Sequence, residues 1–418
     1  MTASFAFTLA FSAMLVLSLA VKFWLASRQI RHVALHRDTV PAPFDRSIGL
    51  EAHRKAADYT IAKARFSLLG LAWGAAVLLG WTLLGGLDWL NRLLLDWMGP
   101  GLAQQLALLA SFSLVGGLLD LPFTLWQTFR LEERFGFNRM TWKLWLADAA
   151  RGLLLGAALG LPLAALVLWL MGAAGALWWL WAWGALVLWT ALLQFIVPTW
   201  IAPLFNKFEP LADASLKERV SALMARCGFT AKGLFVMDGS RRSAHANAYF
   251  TGFGASKRVV FFDTLLRQLS AGEVEAVLAH ELGHFRHRHV LRRMALMAAL
   301  GLAGFALLGW ASGQVWFYTG LGVQPSMSSA NNAVALVLFM LAVPVFGWFA
   351  GPLMAQLSRR DEFEADAFAV AQTSGRDLSA ALLKLYQDNA STLTPDPVYV
   401  KFYYSHPPAG ERLARMGT

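Results

Sequence analysis

The sequence predicts a mainly α, polytopic membrane protein with about seven transmembrane helices and a smaller polar part that contains a β-hairpin or small sheet. Three observations predict it. The 418 residues are 57% hydrophobic and only 15% charged, whereas a soluble domain carries about a quarter charged residues. Apolar runs recur at lengths that cross a hydrocarbon layer of roughly 30 Å. From Ile201 to about Arg286 the composition turns polar, and that stretch holds the run His280-Glu281-Leu282-Gly283-His284.

The first span is expected at Ala3 to Phe23. Its basic residues, Lys22, Arg28, Arg31 and Arg37, follow it, which disfavours a cleavable signal peptide and sets the N-terminus outward. A basic segment from Arg28 to Arg65 then belongs on the cytoplasmic side. Further spans are expected at Phe66 to Leu87, Leu102 to Phe129, Ala147 to Met171 and Ala176 to Trp200. The loops between them alternate in charge: the loop with Asp88, Arg92 and Asp96 is not basic, the one with Arg130, Arg134, Arg139, Lys143 and Arg151 is, and 172–175 has none. Trp178, Trp179, Trp181 and Trp183 fit an interfacial aromatic belt. Residues 1–200 therefore read as a five-span membrane domain, and 201–418 as a second domain with two more spans.

The net charge of +10, from 36 Lys and Arg against 26 Asp and Glu, sits at span ends, where topology and anionic lipid account for it. Nucleic acid is not expected as a partner. Cys227 is the only cysteine, so an internal disulfide is excluded and a metal must be held by His and carboxylate.

In the polar segment, Leu216 to Cys227 reads as an amphipathic helix. Gly233 to Met237 and Arg258 to Phe262 read as strands, the second reached through 247–254 and a turn at Ala255 to Lys257. Such a hairpin offers its edge to an extended peptide. A sixth span is expected at Val290 to Trp310 and a seventh at Ala333 to Leu353. The uncharged 311–332 between them faces outward, so both polar flanks fall on the cytoplasmic side.

Two histidines four apart lie one helical turn from each other, so His280 and His284 can both reach one zinc ion with Glu281 alongside, the H-E-x-x-H signature of zinc peptidases. Ser270 and Glu273 form a capping box ahead of it, and Val274, Val277 and Leu278 supply an apolar stripe. Gly283 is a poor helix former in mid-helix, which points to close backbone approach. Three protein ligands and an open position are needed. Glu362 is expected as the third, and Asp366, four residues on, as the acceptor that fixes the tautomer of a ligand histidine. Both are read on a helix face with Phe363, Ala367 and Val370. Glu364 is expected to be solvated. His287 and His289, among Arg286, Arg288, Arg292 and Arg293, are assigned to a basic membrane-interface cluster. His406 is a candidate donor to a developing oxyanion.

The chain resembles the type I CAAX prenyl protease family of integral-membrane zinc endopeptidases. The likeness extends beyond the zinc motif to Asp58–Lys63, Glu132–Asn138, Ala202–Phe208, Met237–Ser240, Asn247–Phe250, Phe262–Leu266, Glu362–Asp366 and His406–Pro408, in order over nearly the whole chain. The resemblance implies a gluzincin-like protease domain and seven helices around a large intramembrane chamber, with the zinc site near its cytoplasmic end. By position it implies His280, His284 and Glu362 as ligands of one zinc ion per chain, Glu281 as catalytic base and Asp366 behind the ligands. Asn247, Ala248 and Tyr249 would line the substrate groove, His406 would stabilise the transition state, helped in catalysis by Asn247, and Arg412 would support the site. The outward loops after the second and sixth spans are short, and no long insertion separates the last two spans.

The expected activity is peptide-bond hydrolysis of CAAX type on a peptide or protein, with a prenylated C-terminus as one substrate class. The location is a multi-pass integral membrane protein, in the cytoplasmic membrane if bacterial. One alternative is a quality-control protease without prenyl dependence. Another is a transporter or scaffold with a structural zinc, for which only scattered candidates such as Asp120 and Asp148 supply intramembrane charge. The oligomeric state is left open, and a monomer is compatible with everything above.

Overall fold

The computed structural model describes residues 1–42, 44–229, 233–251 and 258–416. Among the described residues, seven helical stretches are long and apolar enough to cross a membrane. In chain order the membrane half comprises α1 (Ala3–Leu35), α2 (Leu50–Trp81), α3 (Gly86–Met98), α4 (Leu102–Trp126), α5 (Trp142–Ala173), α6 (Trp178–Ile196) and α7 (Ala202–Phe205). Wider π turns at Gln127–Glu132 and Val197–Ile201 extend α4 and join α6 to α7.

The helices α1, α2 and α5 are longer than the spans expected from hydropathy. The 33 residues of α1 rise about 50 Å, well beyond the hydrocarbon layer. Most of the basic segment expected from Arg28 to Arg65 is thus helix projecting from the membrane, not a loop. The expected loop around Asp88 to Asp96 is also helical: in α3, Leu87, Leu90 and Leu94 are buried, and Asp88 pairs with Arg92 at 2.8 Å.

A hydrophobic core closes one end of the membrane part. It joins Phe11 and Leu15 of α1, Leu87 and Leu90 of α3, Leu108 of α4 and Leu338 near the start of the last span. Away from it, the spans other than the last bury few residues. A solid bundle would bury a stripe on every helix, and the low burial of these spans departs from that.

The second half begins with β1 (Phe208–Pro210), α8 (Ala214–Arg226), β2 (Gly233–Met237), β3 (Ala248–Thr251), β4 (Arg258–Phe262), α9 (Asp263–Gln268) and α10 (Ala271–Arg286). It continues through α11 (His289–Ala311), α12 (Val315–Thr319), α13 (Asn332–Gly347), α14 (Gly351–Gln372), α15 (Gly375–Asp388), α16 (Pro397–Tyr403) and α17 (Ala409–Met416). The last span, α13, runs through a tight turn at Trp348–Ala350 directly into α14, so Glu362 stands on the extension of a membrane helix.

The sheet has the order β1-β2-β4-β3, and here the expected pairing is corrected. β2 and β4 lie parallel, Gly233 opposite Arg258 and Met237 opposite Phe262, because the chain crosses between them instead of turning back. The antiparallel partner of β4 is β3, with Tyr249 opposite Val260. The turn expected at Ala255 to Lys257 lies outside the described residues. β3 is an edge strand: Asn247 O accepts from Phe262 N at 3.0 Å, so the N–H and C=O of Ala248 and Phe250 point away from the sheet. Beneath it, Val220, Leu223, Phe261, Leu265, Val274, Leu278 and Leu282 form one core with Ala369 of α14.

Candidate functional site

The helix α10 starts at a complete capping box: Ser270 N donates to Glu273 Oε2 at 2.7 Å and Ser270 Oγ accepts from Glu273 N. From there the apolar stripe, with Val274, Leu278 and Leu282 buried, turns His280, Glu281 and His284 toward the protein interior. α14 packs on α10 at Gly283. A Cβ added there would lie 2.9 Å from Ala365 Cα and 3.1 Å from Ala365 O, which only a glycine permits.

This contact brings Glu362 opposite the histidine pair. His280 Nε2 and His284 Nε2 are 3.3 Å apart. Glu362 Oε2 lies 3.4 Å from the first and Oε1 3.5 Å from the second. Glu362 is 4% exposed, and its buried Oε2 has no hydrogen-bond partner. Two imidazole nitrogens and an orphaned carboxylate oxygen converging on one point are the donor set of a divalent metal centre. The buried face of α14 carries Glu362, Ala365, Asp366 and Ala369, a correction to the face expected with Phe363 and Ala367. Ala367 is exposed, and Phe363 lies under the Arg415 guanidinium, 3.6 Å from the ring centre.

Behind the site, His280 Nδ1 is 2.8 Å from Asp366 Oδ1, and Arg412 donates to both oxygens of Asp366, at 2.8 and 2.6 Å. Burial lowers the proton affinity of His280, but its hydrogen bond to Asp366 and the adjacent Glu362 carboxylate outweigh it and raise its pKa to about 9. Burial, with the charge on His280, pulls His284 down to about 4. Burial also pushes the Glu281 carboxyl above its ordinary value.

A cavity of about 930 Å³ opens in front, lined among others by His280, Glu281, Glu362, Asn247, Ala248 and His406. His406 Nε2 is 3.3 Å from Glu362 Oε1, and its Nδ1 is 2.9 Å from Ser405 Oγ. Asn247 is exposed, with its Oδ1 accepting from Ala248 N at 2.8 Å, which leaves Nδ2 free to donate. Tyr249 does not join them. Its side chain lies in a different pocket with Pro203, Phe235 and Arg258, because neighbours on a strand point to opposite faces.

Two further expectations are corrected. His289 is 2% exposed and packs behind His284, so it is no part of an interfacial basic cluster, although His287 is exposed. Glu364 is half-buried among His289, Arg292 and Arg360, not solvated. Sequence periodicity hid this arrangement, since five residues on a continuous helix put His289 about 140° from His284. Also unforeseen is a polar network on the cavity wall: Tyr59 donates to Glu132 at 2.7 Å, Glu132 lies 3.7 Å from His245, and His245 Nδ1 is 3.1 Å from Asn389 Oδ1. Tyr59 and Glu132 stand in the two family-like stretches of the membrane half, which were the available signal.

Residues 29–207 match the model of the CAAX prenyl protease N-terminal region with five membrane helices, and residues 210–418 match peptidase family M48. The chain is 34% identical to CAAX prenyl protease 1 of Saccharomyces cerevisiae, over 91% of this chain and 89% of that one. It is 33% identical to the CAAX prenyl protease 1 homolog of Oryza sativa subsp. japonica, over 92% of both chains. With the Homo sapiens homolog it shares 30% identity over 98% of this chain and 95% of the other. The crystal structure of S. mikatae Ste24p superposes with a TM-score of 0.92 at 31% identity, covering 99% of each chain.

Proposed function

Because the chain belongs to the CAAX prenyl protease 1 family of M48 metallopeptidases, we propose that this multi-pass membrane endopeptidase uses one zinc ion to trim prenylated CAAX-type C-termini inside its cavity. The observation that carries the zinc reading is the buried Glu362 carboxylate, its Oε2 without a hydrogen-bond partner, set with Oε2 against His280 Nε2 and Oε1 against His284 Nε2. His280, His284 and Glu362 would hold the ion, and all-N/O donation suits zinc. When bound, zinc polarises the scissile carbonyl and acidifies a water.

The protein's own groups do the rest. Glu281, whose carboxylate is made more basic by its burial, takes a proton from the attacking water and returns it to the departing amine. His406 and Asn247 donate hydrogen bonds to the oxygen that gains charge. Asp366 accepts from His280 Nδ1 and thereby turns the bare Nε2 toward the metal. The outward edge of β3 offers the Ala248 carbonyl and the Phe250 main chain to an extended substrate, the Ala248 N–H being taken by Asn247 Oδ1, while Tyr249 turns its backbone into the sheet opposite Val260 and its side chain elsewhere.

The charge pattern supports an outward N-terminus with the peptidase part, residues 201–418, opening to the cytoplasmic side of the five-span domain 1–200. The test is metal analysis of the purified protein together with cleavage of a farnesylated CAAX peptide and its unprenylated twin. One equivalent of zinc and preference for the lipidated peptide are expected. Equal cleavage of both would replace CAAX processing by prenyl-independent membrane-protein proteolysis.

A further inference from the structure

The two histidines of the centre are both backed by an acceptor, but in different ways. His280 has Asp366. His284 Nδ1 lies 2.9 Å from His289 Nδ1, and His289 Nε2 lies 3.1 Å from Glu364 Oε2 and 3.6 Å from Asp361 Oδ1. We propose that His289 and Glu364 are positioning residues that aim His284 at the metal, an inference that rests on the zinc reading above.

Proton placement allows one arrangement. For His284 Nε2 to face the metal bare, the ring proton must sit on Nδ1, which then donates to His289 Nδ1. His289 must accept there, so its own proton sits on Nε2 and is donated to Glu364. The opposite tautomer of His289 would set two N–H groups against each other at 2.9 Å. Every donor in the chain His284, His289, Glu364 then has an acceptor, which a buried pair requires.

The backbone is bent to build this contact. α10 ends at Arg286, and Arg288 adopts a left-handed conformation with φ 56° before α11 begins at His289. Arg288 is one of two non-glycine residues with positive φ among the described residues. Such a conformation persists where surrounding structure demands it. Here it folds His289 back under His284, a position that a continuous helix would not give it.

His289, Asp361 and Glu364 also have the spacing of a metal-binding group. Charge argues against a second ion: Arg360 lies 3.2 Å and Arg292 3.6 Å from Glu364, so cations already occupy its surroundings.

The experiment compares wild type, His289→Ala, His289→Gln, Glu364→Gln and His287→Ala, each as full-length protein in detergent. Zinc affinity is read by competition with a chelator, and the cobalt-substituted forms by their visible absorption. We expect His289→Ala to bind zinc about 10- to 100-fold more weakly with a shifted cobalt spectrum, and Glu364→Gln to move both in the same direction by less. His289→Gln, whose amide oxygen can accept from Nδ1, should recover part of the affinity, and His287→Ala should match wild type. Unchanged affinity and spectrum in His289→Ala, or in Glu364→Gln should the alanine variant not fold, overturns the proposal. So does a second zinc equivalent in wild type that His289→Ala removes. A wild type that binds no zinc would instead remove the zinc reading itself.

Discussion

Arg412 grips Asp366 with two parallel hydrogen bonds, Nε to Oδ2 at 2.8 Å and Nη2 to Oδ1 at 2.6 Å, and both residues are buried. The fork ties the C-terminal helix α17 to α14, and through Asp366 to His280. Removing the guanidinium would leave a buried carboxylate without its counter-charge, which typically costs 3–5 kcal/mol. Arg412→Ala should therefore lower stability by about that amount, measured by denaturant unfolding. Arg412→Lys should fall between, because an ammonium cannot match both oxygens at once.

Glu281→Gln keeps the shape of the side chain but cannot carry a proton. It should retain one equivalent of zinc by metal analysis and lose turnover in a peptide-cleavage assay. A zinc-loaded variant with wild-type activity would refute the assignment of the base.

His406 lies beside Glu362 at 3.3 Å without being needed to fill the ligand set. His406→Ala should lower kcat by about 100- to 1,000-fold while KM and zinc content change little. Steady-state kinetics on one peptide separates this from a ligand role, which would deplete zinc.

Gly283 is where α10 and α14 touch. Gly283→Ala would drive a methyl group into the Ala365 backbone and the Phe368 Cβ, 3.2 Å away, and backbone cannot step aside as a side-chain tip does. A loss of about 1–3 kcal/mol is expected, with weaker zinc binding because Glu362 moves away from the histidines. Wild-type stability and zinc affinity in this variant would show that the helices are free to separate.

Glu273 provides a pH signature away from the metal. Burial pushes its carboxyl up, but the hydrogen bonds from Lys384 and Ser270 prevail and hold it below its ordinary 4.5. A depressed folded-state value means that the stabilisation is present above the unfolded pKa and is lost as pH falls through the folded one. Wild type should thus lose stability on acidification below about pH 4.5. Glu273→Gln, less stable at neutral pH, should show a shallower decline over the same window, in thermal unfolding of the chelator-treated proteins.

Much of this protein was legible without coordinates, and for identifiable reasons. Hydropathy alone located the seven crossings because a helix that crosses lipid needs a long apolar run. Their ends were misjudged where α1 and α2 run on as polar helices outside the membrane, since hydropathy reports the solvent and not the helix. The H-E-x-x-H pair was readable because a four-residue spacing is a local property of one helix, and the glycine within it was readable for the same reason.

What no local pattern could decide was distance through space. Whether Glu362 meets His280 depends on Gly283 allowing two helices to touch. Whether β2 and β4 run parallel depends on a crossover with no signature of its own. Tyr249 was assigned to the groove by position, and strand alternation sent its side chain to the other face. His289 was hidden most completely, for a helical reading of residues 284–289 turns it away from His284 until the left-handed Arg288 is known. The sequence by itself determined the membrane class, the helices and the chemistry available. The tertiary structure decided which of those groups share a centre, because that is settled by contacts between segments far apart in the chain.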